Sequence, residues 1–175
     1  MKKIYAFLLV VAMSTSVMAQ HEIGGIFGGM NGVSYKYWFS ENVALQADLA
    51  VGWTRIAGAY YYQGNKGASG DMGAYDFTIN PNALYHWQLP ENFKIYAGGG
   101  VGFGLMSNID NTNSAGIIGK FGLNAAVGAT YDFQEVPLTF ALDFRPGYGL
   151  GFQTADVAHL SYFDWKLAFA VRYRL

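Results

Sequence analysis

Residues Phe163-Asp164-Trp165-Lys166-Leu167-Ala168-Phe169-Ala170-Val171-Arg172-Tyr173-Arg174-Leu175 alternate strictly. Phe163, Trp165, Leu167, Phe169, Val171, Tyr173 and Leu175 point one way, while every charged residue of the stretch points the other. A period of two belongs to a strand with unlike faces, since successive side chains leave opposite sides of a sheet. The same split recurs upstream. Leu138, Phe140, Leu142, Phe144 and Tyr148 oppose Thr139, Ala141, Asp143, Arg145, Gly147 and Gly149. Phe121, Leu123, Ala125, Val127, Ala129, Tyr131 and Phe133 oppose Lys120, Gly122, Asn124, Ala126, Gly128, Thr130 and Asp132.

Residues 95–105 alternate with Lys94, Tyr96 and four glycines, residues 75–87 and 43–54 follow the same rule, and shorter strands are predicted over 22–30 and 33–39. This makes eight strands. The connections 40–42, 89–92 and 134–135 are short, whereas 55–73, 107–116 and 151–161 are long and polar. Asn31-Gly32 predicts a two-residue hairpin turn in the remaining connection. Short turns alternating with longer loops around an even strand number match an antiparallel up-and-down transmembrane β-barrel.

The polar face decides against a soluble sandwich or a lipocalin-like barrel. It is rich in glycine (Gly98, Gly100, Gly102, Gly104, Gly122, Gly128, Gly147, Gly149), which leaves room in a narrow interior and covers no solvated exterior. It also holds the strand charges: Glu22, Asp48, Asp76, Asp132, Asp143 and Asp164 with Lys36, Lys94, Lys120, Arg145, Lys166, Arg172 and Arg174. An Arg or Lys on a lipid face costs about 2–4 kcal/mol near the bilayer midplane, so the charges are expected inside. Aromatic residues of the apolar face gather at the strand ends, as the two interfaces of a bilayer require.

Composition agrees: only 13% of residues are charged, 17% are aromatic and 23 are glycine. Eleven Lys and Arg against 12 Asp and Glu give no reason to expect nucleic acid as a partner. Lys2 and Lys3, an apolar run over residues 4–11 and Val17-Met18-Ala19 read as a secretory signal peptide over 1–19, leaving a barrel domain over 20–175. Without Lys2 and Lys3 the chain keeps 9 basic residues against 12 acidic, a net charge of −3. Cysteine is absent, which excludes disulfides, thiolate metal sites and a lipid-modified N-terminal Cys.

The stretch Gly32-Val33-Ser34-Tyr35-Lys36-Tyr37-Trp38-Phe39 with Ser40-Glu41-Asn42, Pro81 inside a strand before Tyr85, the run Tyr96-Ala97-Gly98-Gly99-Gly100-Val101-Gly102 and the alternating C-terminal strand resemble the small outer-membrane β-barrel family of OmpX-like proteins and the OmpA transmembrane domain, in its Bacteroidota form. The resemblance covers the whole of residues 20–175. It implies residence in a Gram-negative outer membrane, contact with outer-membrane lipid and lipopolysaccharide, and recognition of the C-terminal strand by the assembly machinery. The family usually ends in an aromatic residue, and Leu175 departs from that, with Tyr173 two positions earlier. Pro81 and Pro146 are expected to sit at bulges, because a closed barrel has no free edge for a missing N–H.

No catalytic, cofactor or metal site is expected. A deacylase-like set for a lipid A-modifying enzyme can be drawn from Asp156, His159 and Ser161, but neighbours in one loop need not converge. Asp71, Asp110 and Asp156 show no ligand spacing, and residues 98–104 lack the helix and Lys of a phosphate loop. Eight strands enclose an interior that side chains fill. The expectation is therefore a plugged lumen crossed by ion pairs among Asp48, Asp76, Lys120, Asp143, Arg145 and Lys166, with a narrow porin-like channel as the alternative. Tyr60, Tyr61 and Tyr62 form the candidate loop contact for an extracellular ligand of unknown identity.

Overall fold

The computed structural model describes the backbone of residues 21–62, 65–107, 117–153 and 158–175, and the side chains of these except over 54–74 and 153–160. The predicted signal peptide over 1–19 lies outside the described residues. Eight strands follow one another: β1 His21–Gly28, β2 Met30–Trp38, β3 Val43–Tyr62, β4 Asn65–Gln88, β5 Phe93–Ser107, β6 Ile117–Asp132, β7 Leu138–Gln153 and β8 Ala158–Arg174. Each pairs antiparallel with its sequence neighbour, and β1 pairs with β8, so the sheet closes into a barrel. Closure follows from the two-faced strands: it removes the free edges of the sheet and shields the polar face.

Burial obeys the alternation. Glu22, Lys36, Asp48, Asp143 and Arg172 are at most 2% exposed, whereas outward Val51, Tyr75, Leu123, Leu142 and Tyr148 are more than half exposed. The interior also holds an apolar patch of Ile26, Met30, Ala50, Ala141, Ala168 and Ala170. Outside, the short-turn end carries touching rings: Tyr37 on Phe39, Tyr85 on Trp87, Phe93 on Tyr131 and Tyr131 on Phe133, with centroids 4.8–4.9 Å apart. Toward the opposite end Trp53 meets Tyr75 edge-on at 4.6 Å.

Three sequence expectations need correction. The segments 55–62 and 65–73 are strand, not loop: β3 and β4 run on as one long hairpin, with pairs from Thr54↔Ala74 to Tyr62↔Asn65. Their alternation is weakened by glycine and alanine, which hid it. Likewise β7 extends to Gln153 and β8 begins at Ala158, so most of the predicted 151–161 loop is strand.

Asn31-Gly32 is not the turn centre. Gly32 pairs with Ile26 inside the ladder, and the chain reverses at residues 28–30. Gly28 takes φ +110°, a conformation that favours glycine. Asn31 closes the bend from outside: Gly28 N–H donates to Asn31 Oδ1 at 3.2 Å, and Asn31 Nδ2 donates to the Gly28 carbonyl at 3.0 Å.

The prolines interrupt pairing without making bulges. Between β4 and β5 the register passes from Ile79↔Phe103 to Asn82↔Gly100, skipping Asn80 and Pro81 but keeping its offset. Between β6 and β7 it passes from Asn124↔Gly147 to Val127↔Phe144, skipping Arg145 and Pro146 in the same way. Each proline keeps its pair on the other side, Ala47↔Pro81 and Pro146↔Trp165. A missing donor opens one rung and the flanking rungs hold the register.

Gly28→Val forces a β-branched residue to positive φ. It should lower the unfolding free energy by about 1–3 kcal/mol, read as a reduced urea midpoint of the refolded barrel, because strain of that size attends such backbones. An unchanged midpoint would mean that the turn is not built on Gly28.

Candidate functional site: the charged lumen

The inward face of all eight strands converges on one axis, so residues distant in sequence become neighbours. Arg145 of β7 reaches across to Asp48 of β3 at 2.5 Å and also holds Asp143 at 3.2 Å. Asp143 in turn accepts from Tyr96 of β5 and lies 3.6 Å from Arg172 of β8. Arg172 Nε donates to Ser34 of β2 at 2.8 Å. These bonds span β2, β3, β5, β7 and β8 in one layer.

A second layer lies toward the long-hairpin end. Asp76 of β4 receives Lys120 of β6 and, at 2.8 Å, Lys166 of β8, both on Oδ2. Lys166 also stands 3.4 Å from Asp164. Thr78 donates to the same Asp76 oxygen at 2.8 Å, and the ammonium of Lys120 lies 5.8 Å from the Tyr162 ring centre. A third layer fills the short-turn end. Trp38 Nε1 donates to Glu22 at 2.7 Å, and Lys36 Nζ lies 3.3 Å from His86 Nε2 and 5.0 Å from the Tyr96 ring centre. Lys94 pairs with Asp132 at 2.8 Å.

All six residues expected to form the network (Asp48, Asp76, Lys120, Asp143, Arg145 and Lys166) thus stand in the lumen, divided between two layers. That list omitted Arg172, Tyr96 and Asp164, which share the inward face and could have been added by the alternation alone. The glycines are seats for rings: a Cβ on Gly128 would collide with the Tyr96 hydroxyl, and one on Gly149 with that of Tyr162.

Between the layers remains a cavity of about 40 Å³ bordered by Asn124, Arg145, Tyr162, Asp164 and Lys166. That is room for a few water molecules.

Most of the other candidates fall outside the described residues. The backbones of Tyr60, Tyr61 and Tyr62 end β3 rather than forming a loop, paired with Leu160, with His159 and Lys66, and with Asn65. Their side chains lie outside the described residues, as do Asp110 and Asp156 and the side chains of Asp71 and His159. Ser161 is a β8 strand residue opposite Leu150. His86 is fully buried between Trp38 and Tyr96, away from any surface. Among the described residues no group of three or more His, Cys, Asp or Glu could hold a metal ion.

No protein-family model matches the chain, and no curated protein matches it in sequence. Solved structures do. The N-terminal β-barrel domain of Pseudomonas aeruginosa OprF superposes with a TM-score of 0.60 at 17% identity, covering 90% of this chain and 96% of that one. The chain has the fold of the small outer-membrane β-barrels. Neisserial surface protein A follows with a TM-score of 0.56 at 14% identity, over 90% of this chain and 94% of its own. The outer membrane protein OprG of Pseudomonas aeruginosa gives 0.54 at 12% identity, over 90% and 92%.

Removing one member of a buried pair strands the other charge. Asp143→Ala should cost about 3–5 kcal/mol of unfolding free energy, because Arg145 and Arg172 both lose a partner in the sealed layer. Asp132→Ala, whose pair with Lys94 is partly exposed, should cost less than about 1 kcal/mol. Paired urea titrations of the two variants measure the difference, and equal losses would contradict the layered lumen.

Proposed function

We propose that the protein is an integral outer-membrane β-barrel whose lumen is plugged by its own side chains, acting in envelope structure or surface contact and not in catalysis. The observation that carries this reading is the inversion of the wall. Apolar side chains such as Leu49, Phe144, Leu167 and Phe169 are 40–51% exposed on the outside, while Lys36, Arg172 and Asp143 are sealed within. In water an outer face of this kind would drive association. In a bilayer it is solvated, and the two ends carrying aromatic rings sit at the headgroups.

The finer assignments follow from the same reading. An exported chain agrees with the signal peptide read over 1–19 and with the Bacteroidota form of the family that the sequence resembles. Outer-membrane lipid and lipopolysaccharide are the partners of the outer face. The C-terminal strand, with Phe169, Val171, Tyr173 and Leu175 all outward, offers the assembly machinery its apolar stripe. The long β3–β4 hairpin, ending at Tyr60, Tyr61 and Tyr62, is the surface for an extracellular ligand.

The two layers of cross-lumen ion pairs, Arg145 to Asp48 and Lys120 and Lys166 to Asp76, argue against the porin-like alternative, since they stand across the path of an ion. The chain refolded into detergent should run as a β-rich, heat-modifiable species and give no discrete conductance steps in a planar bilayer. Reproducible steps would replace the plug with a channel. Phe144→Arg, outward in the middle of β7, should destabilise the lipid-embedded barrel by about 2–4 kcal/mol. A neutral effect would place that face in water and revive the soluble-barrel reading.

A further inference from the structure

The chamber between the two ion-pair layers is ringed by cations. Lys120 of β6, Arg145 of β7 and Lys166 of β8 all line it, and Asp164 is the one carboxylate of the lining. The other carboxylates that hold these cations, Asp48, Asp76 and Asp143, stand outside the lining. These ion pairs therefore turn their positive ends toward the chamber and their negative ends away. Charges oriented in this way leave a positive potential in the space they enclose. Lys120 and Lys166 strengthen it, because their two ammonium groups meet on a single oxygen of Asp76. Gly102, Gly122 and Gly147 complete the wall and put no side chain into the space.

The hydrogen-bonding groups of the lining are unbalanced in the same sense. Arg145 donates through its two terminal nitrogens to Asp48 and Asp143, and its Nε–H meets no acceptor although the residue is 4% exposed. An ammonium group carries three N–H donors. Lys120 places one on Asp76, and Lys166 is shared between Asp76 and Asp164, so each keeps at least one more. Against these donors stands one buried lining acceptor without a donor, Asn124 Oδ1. A buried polar group left unbonded costs about 1–3 kcal/mol, so the occupant has to accept more hydrogen bonds than it donates.

Size narrows the choice. A water occupies about 10–15 Å³ of space measured this way, so the chamber takes about three water-sized bodies. One monatomic anion with two waters fills it, one of the waters giving a hydrogen to Asn124 Oδ1. A polyatomic oxyanion with the same waters exceeds it.

We propose that the chamber is a halide site, holding one chloride ion against Arg145 Nε–H and the remaining N–H groups of Lys120 and Lys166. Arg145 belongs to one layer and the two lysines to the other, so the ion ties the layers together and is a fixed part of the plug. The site depends on the closed lumen and not on the medium around the barrel.

The test uses the full barrel refolded in detergent in sodium sulfate and exchanged into sodium chloride at equal ionic strength, which holds general screening constant. Chloride should shift the side-chain Nε–H resonance of Arg145 to a saturating value and slow unfolding in urea by about threefold or more relative to sulfate, as a ligand of the folded state does. The general effect of sulfate is to stabilise, which runs the other way. Lys120→Met should abolish both responses. Gly102→Ala and Gly147→Ala each put one methyl group into the chamber from the wall and change no charge. A Cβ on Gly102 would stand 3.2 Å from Asn80 Nδ2, and one on Gly147 would stand 3.2 Å from the Leu123 carbonyl. Both variants should fold and lose the difference between the two salts. Equal shifts and equal unfolding rates in chloride and sulfate, a response that never saturates, or glycine variants that keep the chloride effect would each overturn the proposal.

Discussion

A charge in a wall this thin has one side on which it can rest, and that constraint organises the barrel. With a period of two, placing Asp48 inside places Leu49 outside, and a slip of one residue would turn every charge of β3 toward the lipid side together. The ion pair between Arg145 and Asp48 makes the choice mutual. Strands β3 and β7 are not neighbours in the sheet, yet their inward charges neutralise each other across the lumen. Lateral hydrogen bonds set spacing, and cross-lumen pairs set which face is inside.

Filling the interior is the second half of the problem. Eight strands leave space for side chains and little else, so large and small residues must alternate around the axis. Tyr96 and Tyr162 are accommodated because Gly128 and Gly149 carry no Cβ, and a row of alanines on β7 and β8 admits Ile26 and Met30. The lumen is thereby a packed core built from polar parts. Its stability depends on every charge keeping a partner, because the low-polarity wall makes an unpartnered one expensive.

Much of this could be read from the residues. The strict alternation of β8 and β7 disclosed strand, face and burial at once, and the charges of the inward face were correctly separated from the outer one. The hairpin of β3 and β4 was misread as loop because Gly58, Gly67, Gly70 and Gly73 dilute the alternation where strand identity comes from pairing with the opposite strand. Asn31-Gly32 misled for a related reason: Gly28, three residues before Asn31, takes the positive φ, leaving Asn31 to act through its side chain. The missing rungs at Pro81 and Pro146 were foreseeable from the absent N–H, but whether the register would shift depended on the neighbouring rungs. Which charges share a layer depends on strand stagger around the barrel, and no single strand contains that.

The measurement that reaches the centre of this account is a double-mutant cycle on Asp48 and Arg145, residues 97 positions apart in sequence. Asp48→Ala, Arg145→Ala and the double variant would be unfolded with urea from the lipid-embedded state. A coupling energy of about 2 kcal/mol or more is predicted, since the pair is sealed and each partner alone is stranded. Additive losses, with no coupling, would mean that the two charges do not meet across the lumen and that the closed, charge-paired interior is wrong.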